Sequence, residues 1–243
     1  MTELLYQTDS YLQEFDSTIT AVEAETRSLI LDRSAFYPGG GGQPCDIGSL
    51  TVVGTVYPVV KTKKQGEDVI HFLGGDAPLP SPGVSAHGVI DWVRRYQLMR
   101  THTAMHVLCG VVFRDYGAQV TGGDMEPLAG RMDFEFATMR AELVHDIENA
   151  VNREVEAGRE VCIKILPRDE AFQIPDLIRT KINLLPDGIM QVRTVELVGL
   201  DLQADGGTHV RNTSEVGAIQ VADYKSKGAI NKRIYIQVLD ASA

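Results

Sequence analysis

Short apolar runs at strand-like spacing dominate the first part of the chain. SLILD, SLTVVGTVYPVV, DVIHFL and GVSAHGVI lie between Ser28 and about Ile90, separated by Gly, Pro and charged residues. Runs this short, broken by turn chemistry, predict a small antiparallel β-barrel. At Asp91 the period changes. In DWVRRYQLMRTHTAMHVLCGVVFRDYG the apolar positions recur at helical spacing, and Gly117 supplies a stop. We expect a barrel domain over residues 1–90 and a second domain over residues 91–243.

In the second domain GRMDFEFA alternates, with Met132, Phe134 and Phe136 on one side and Arg131, Asp133 and Glu135 on the other, as in a half-buried strand. Thr138 offers an N-cap to a helix whose apolar stripe is Leu143, Ile147, Val151 and Val155 and whose end is Gly158. The strand EVCIKIL follows, then mixed helical segments to about Leu185, then strands in GIMQVRTVEL, VGAIQVA and KRIYIQVL. Helices interleaved with mostly antiparallel strands make this half a layered domain and the whole chain an α+β protein.

The formal charge of −10 over 243 residues argues against a surface that binds nucleic acid everywhere, because phosphate binding needs concentrated Lys and Arg. A local basic strip remains compatible with it. The opening MTELLYQTDSYLQEFD lacks the basic flank and apolar run of a signal peptide, and no apolar stretch approaches bilayer-spanning length, so a cytoplasmic location is expected. Cys45, Cys109 and Cys162 have no C-x-x-C pairing and are expected to be reduced thiols.

His102 and His106 stand four residues apart, on one face of the predicted helix. That is half of a metal site, or two unrelated histidines. Thr103 occupies the place of the catalytic Glu in H-E-x-x-H, which disfavours peptidase chemistry of that type. A second cluster, Asp205 and His209, spans Gly206 and Gly207 in a stretch that reads as a tight turn, where the glycines free the backbone to aim both side chains one way. His102, His106, Asp205 and His209 together form a nitrogen and oxygen set suited to Zn²⁺. His71, His87 and His145 lack partners at ligand spacing and are expected at the surface. The run Gly39 to Gly42 lacks the GK[S/T] ending of a P-loop, so nucleoside triphosphate hydrolysis is not expected.

In this order the motifs resemble the editing domain of alanyl-tRNA synthetase and the free-standing alanyl-tRNA editing proteins called AlaX. That family's pattern is H-x-x-x-H followed downstream by C-x-x-x-H, usually within C-G-G-T-H. HTAMH matches the first half and DGGTHV the second, with Asp205 at the cysteine position. FYPGGGGQPCDIG is similar to the glycine-rich motif of the family's N-terminal barrel, and DWVRRYQLMRTHTAMH and SKGAINKRIYI also fit. Length and layout resemble the medium form of the family.

The resemblance implies an enzyme acting in trans that hydrolyses the ester joining a wrong amino acid, chiefly serine and also glycine, to the alanine tRNA at a Zn²⁺ site. Its partner would be the mischarged tRNA, and a monomer is the expected state. Asp205 would serve as a ligand, or as an outer partner or proton acceptor beside three histidines. Gly39, Gly40, Gly41 and Gly42 would form a backbone wall near the terminal adenosine or aminoacyl group, Gln43 would add an amide, and Ser34, where the family has a threonine, would read the seryl hydroxyl. Lys225, Lys227, Lys232 and Arg233 are the first candidates for phosphate contact, followed by the KTKK run at residues 61–64 and by Arg94, Arg95 and Arg100. Two other readings stay open: a hydrolase acting on another mischarged tRNA, and a non-catalytic tRNA-binding module with a structural metal.

Overall fold

The computed structural model describes residues 1–179 and 188–240. They divide into two compact units, Met1–Tyr96 and a second beginning at Gln97. The first contains β1 (Glu3–Leu4), β2 (Glu14–Glu23), β3 (Ser28–Leu31), β4 (Arg33–Ser34), β5 (Gly48–Val52), β6 (Thr55–Gln65), β7 (Asp68–Leu73) and β8 (Ser85–Ile90). Six of these close an antiparallel barrel in the order β2-β3-β7-β6-β5-β8, while β1 pairs with β4. Alternate residues point inward, so Ile19, Leu29, Leu31, Leu50, Val52, Tyr57, Val59 and Leu73 fill the interior. β2, which closes the ring, escaped the sequence pattern, since between Glu14 and Ile19 its inward positions are Phe15, Ser17 and Ile19 and the rest are polar. Phe15 lies against Gly88 on β8, where a Cβ would come within 2.5 Å of the ring.

Two buried polar groups organise this unit. Arg95, expected as a phosphate contact, is fully buried and bonds the Asp46 carboxylate, with Nη1 donating to the Ser10 carbonyl at 2.9 Å and Nη2 to the Ala35 carbonyl at 2.6 Å. Asp46 also accepts the Tyr37 N–H at 2.6 Å, and its own N–H donates to the Tyr37 carbonyl at 2.9 Å. These bonds pin both ends of the glycine-rich segment. His71, expected at the surface, is also fully buried, with Nε2 2.8 Å from the Ser34 hydroxyl. His87 is half-buried, 2.8 Å from Asp16, and His145 is exposed.

α1 (Trp92–Tyr116) contains the division between the units. Gly117, at φ 64°, ends it by donating its N–H to the Phe113 carbonyl at 2.9 Å. The second unit adds β9 (Val120–Glu126), β10 (Ala129–Glu135), α2 (Ala141–Glu156), β11 (Val161–Pro167), the single turn α3 (Arg168–Ala171), β12 (Gln191–Leu197), β13 (Asp201–Ala204), β14 (Ala218–Ser226) and β15 (Asn231–Leu239). They form two antiparallel sheets, β14-β15-β10-β9 and β11-β12-β13. Part of the helical stretch expected to about Leu185 lies outside the described residues.

α2 begins at Ala141 with Arg140 at the cap and no capping side chain, so Thr138 is not its N-cap. Val144 and Ala150 join Ile147, Val151 and Val155 on the buried stripe, and Leu143 stands at its edge. Asn152 clamps α2 to β14 by donating to the Ile219 carbonyl at 2.7 Å and accepting its N–H at 2.9 Å.

Burial pushes the His71 pKa down from 6.5 to about 4. The unfolded chain therefore takes up a proton below pH 6.5 that the folded barrel refuses until about pH 4. Stability present above that window declines as the pH falls through it, by about 3 kcal/mol in all. Urea unfolding of wild type and His71→Gln at about pH 7.5 and about pH 4.5 checks this: the variant is expected to lose much less on acidification, and equal losses would assign the drop to other groups.

A candidate metal centre

From Leu98 to Val112 every residue of α1 is buried, so this segment is not an amphipathic surface element but the middle of its unit. Its polar residues must then find partners within the protein. Arg100 does so by donating to the Val216 and Leu239 carbonyls, each at 2.9 Å, and to Asp240 at 2.8 Å, which removes it from the expected phosphate contacts. His102 and His106, one turn apart, face the segment after β13.

That segment carries Asp205 and His209. Neither Gly206 nor Gly207 takes a left-handed backbone. The turn is made instead by Asp205 Oδ2, which accepts the Gly207 N–H at 2.7 Å. The ring centroids of His102 and His209 lie 4.2 Å apart, those of His106 and His209 4.7 Å, and those of His102 and His106 5.2 Å. Asp205 Oδ1 stands 3.4 Å from Nε2 of His102 and 4.0 Å from Nε2 of His106, and Oδ2 3.0 Å from Nε2 of His209. One donor atom from each of the four residues falls within 4.8 Å of the others, and the three histidines are buried. Among the described residues this is the one such group. Three neutral imidazoles and a carboxylate at this spacing are a donor set that fits Zn²⁺.

The outer contacts fix which ring nitrogen faces inward. Asp201 Oδ2 lies 3.1 Å from Nδ1 of His106; a carboxylate only accepts, so Nδ1 carries the proton and Nε2 keeps its lone pair for the centre. Asp201 is itself held by Gln203 at 2.6 Å and by Arg179 Nε at 3.2 Å. Thr103 Oγ1 lies 3.2 Å from Nδ1 of His209 and accepts the Val210 N–H at 3.3 Å. Arg193 donates to the Asp205 carbonyl at 2.9 Å and stands 3.7 Å from its carboxylate.

Burial alone would lower the His106 pKa, but the hydrogen bond and charge of Asp201, with Asp205 behind it, raise it above the ordinary value. Burial and the neighbouring His102 hold His209 well below its ordinary value. Burial would raise Asp205, yet the adjacent histidines keep it ionised and well below the carboxylate range.

Asp201, Thr103, Arg193, Gln203 and Arg179 were not read from the sequence. Asp201 opens the same DLQADGG stretch as Asp205, and the sequence marks Thr103 only as the residue that stands where H-E-x-x-H has its Glu. The other expected site residues lie elsewhere. In the first unit Gly41 and Gly42, at φ 58° and 89°, form the tip of a hairpin closed by Gly40 N–H to the Gln43 carbonyl at 3.0 Å and the reverse bond at 2.9 Å. Those angles match a type I′ turn, which needs φ > 0 at both central residues. Gly39, at φ 84°, precedes it, and Gln43 is buried. Ser34 is fully buried, and its hydroxyl also accepts the Phe36 N–H at 3.2 Å. Lys225, Lys227, Lys232 and Arg233 belong to β14, β15 and their connection.

Two family models match the chain: "Threonyl and Alanyl tRNA synthetase second additional domain" over residues 192–235, and "tRNA synthetases class II (A)" over residues 6–94. An alanyl-tRNA editing protein AlaX-M of Methanosarcina mazei is 34% identical over 249 residues, covering 100% of this chain and 99% of the relative. The AlaX-M of Saccharolobus solfataricus is 37% identical over 240 residues, covering 98% and 99%. The chain belongs to the AlaX family. An alanine–tRNA ligase of Pyrobaculum aerophilum is 36% identical over 229 residues, which span 90% of this AlaX chain and 25% of the ligase.

Replacing Asp201 by Asn exchanges the charged acceptor that holds the His106 proton on Nδ1 for a neutral and weaker amide oxygen. Outer partners of this kind are worth roughly 10- to 100-fold in metal affinity. Competition against a chromophoric chelator is expected to show a loss of that size for Asp201→Asn; an unchanged zinc affinity would deny Asp201 a positioning role.

Proposed function

We propose that this protein is an aminoacyl-tRNA deacylase, as AlaX proteins are, acting in trans on mischarged alanine tRNA, chiefly its seryl and also its glycyl ester. The observation that carries the proposal is the meeting of His102, His106, Asp205 and His209 within 4.8 Å in a chain of this family. Zn²⁺ bound there would supply Lewis acidity beside the ester and a more acidic water.

The protein's own residues do the rest. Asp201 and Thr103 keep Nε2 of His106 and His209 turned inward. Asp205 Oδ2 is engaged by the Gly207 N–H and faces Arg193, while Oδ1 is turned toward His102 and His106, which supports Asp205 as a ligand rather than a mobile proton acceptor. The pinned hairpin of Gly39 to Gly42 would present backbone to the terminal adenosine without reorganising, since Asp46 and Arg95 already fix its base. Sparing alanyl-tRNA requires a buried polar group that loses its partner when the substrate hydroxyl is missing, a device worth about 10⁴-fold or more. The resemblance puts Ser34 in that role. Its hydroxyl already bonds His71, so a seryl-to-alanyl ratio left unchanged by Ser34→Val would assign Ser34 to the barrel core alone.

Incubation with seryl- and alanyl-tRNA of the alanine type tests the function. The wild type is expected to release serine and spare alanine, and His106→Ala to lose roughly 100-fold or more of that activity. Equal, negligible turnover by both proteins would refute it. Asp205→Cys is expected to bind zinc at least as tightly as wild type and to shift preference toward softer cations; an unaltered metal preference would place Asp205 outside the coordination shell.

A further inference from the structure

The basic run that the sequence favoured for tRNA contact is largely neutralised within the protein. Lys225 Nζ pairs with Asp223 at 2.9 Å. Lys232 is buried, and its ammonium donates to the carbonyls of Gly228 at 2.7 Å and Ala229 at 2.9 Å, closing the connection between β14 and β15. Arg233 meets Asp133, its cross-strand neighbour on β10, through two hydrogen bonds of 2.6 and 2.7 Å. A phosphate would have to displace these partners first.

The opposite situation holds on the barrel. Lys61, Lys63 and Lys64 are exposed, and among the described residues none of the three makes an ion pair. Their register partners on β7 are Phe72, Ile70 and Val69, so no acid faces them across the ladder. Lys61 sits 5.8 Å over the Phe72 ring. Of the two acids at the β6–β7 turn, Asp68 is already bound by the N-terminal amine at 3.0 Å, leaving Glu67.

Their place on β6 is as telling as their charge. The ladder with β5 stops at Val59. Beyond it Thr62 turns inward and donates its hydroxyl to the Tyr37 carbonyl at 2.9 Å, at the base of the glycine-rich hairpin. Lys61 and Lys63 flank that residue and point outward by strand alternation; Lys64 follows on the Thr62 side at the exposed end of the strand. The longest uncompensated run of cations in the barrel unit is therefore anchored to the loop that would meet the acceptor end. With a net charge of −10, the protein as a whole repels a polyanion, so its affinity must come from such a local strip.

We propose that Lys61, Lys63 and Lys64 on β6 hold the phosphate backbone of the tRNA beside the glycine-rich hairpin. The assignment rests on tRNA being the substrate. The test compares wild type with Lys61→Gln/Lys63→Gln/Lys64→Gln, using fluorescence anisotropy with uncharged alanine tRNA across a salt series and deacylation kinetics with the seryl ester. Each lost phosphate contact lowers the salt slope of log Kobs by about one, so the triple variant is expected to lose about two to three in slope. KM should rise with kcat nearly unchanged. Arg140→Gln/Arg153→Gln/Lys164→Gln, three exposed cations of the other unit, serves as the control for total charge and is expected to alter the slope little. A triple variant that keeps the wild-type slope and KM, or a larger loss in Lys225→Gln/Lys227→Gln, would overturn the assignment. Wild-type protein that binds tRNA through these lysines but cleaves no ester would refute the deacylase proposal and leave this one standing.

Discussion

A carboxylate can be taken out of water only if nearly every lone pair is answered, and both units are arranged around that demand. In the barrel Asp46 is answered by the Arg95 guanidinium and the Tyr37 N–H, and the same bonds bring together Ser10, Ala35 and the glycine-rich segment. In the second unit Asp201 is answered by His106, Gln203 and Arg179. Asp205 is answered by the Gly207 N–H, and its other lone pairs face the Nε2 atoms of His102, His106 and His209. The difference between the two cases is chemical. Arg95 carries a permanent charge and closes its network, whereas the imidazoles around Asp205 hold lone pairs that a cation can use.

This explains how α1 can be buried from Leu98 to Val112 although that stretch carries Arg100, Thr101, His102, Thr103 and His106. Each polar side chain there costs desolvation and must recover it through a partner distant in sequence. Thr101 accepts the Leu128 N–H at 2.9 Å, Arg100 ties down the ends of β14 and β15, and Thr103 and His106 reach the segment from Asp201 to Val210. The helix thereby fixes the second half of the site in the act of burying itself. The rings of His106 and His209 are held in turn by Asp201 and Thr103.

Sequence reading succeeded where a signal is local. The His102–His106 spacing, the Asp205–His209 pair, the alternation of Met132, Phe134 and Phe136 and the stop at Gly158 each follow from a few neighbouring residues. It failed where meaning depends on a distant partner. Lys232 and Arg233 read as surface cations until the connection they close and the Asp133 across the ladder are seen. His71 lacks any neighbour at ligand spacing, and its burial depends on a barrel interior that no single strand encodes. β9 and β13 were missed because VTGGDME offers only Val120 and Met125 as buried apolar residues and DLQA is too short to show a period. Asp201 was legible only as an acid near Asp205, since its role comes from a histidine ninety-five residues away.

The carboxylate at position 205 also alters how the centre withstands its surroundings. A thiolate there would be soft, strongly metal-binding and open to oxidation. As a ligand Asp205 would give up part of that affinity, but Oδ2 is already engaged by the Gly207 N–H, so little orientational freedom would remain to be lost on binding a cation. The thiol on the same helix, Cys109, is buried and has its pKa raised well above the ordinary value by burial and by the charge of Asp201, so it remains protonated and unreactive. A metal held by three imidazoles and one restrained carboxylate would therefore trade thiolate softness for geometry held by the fold, and would depend on preorganisation for what it gives up in bond strength.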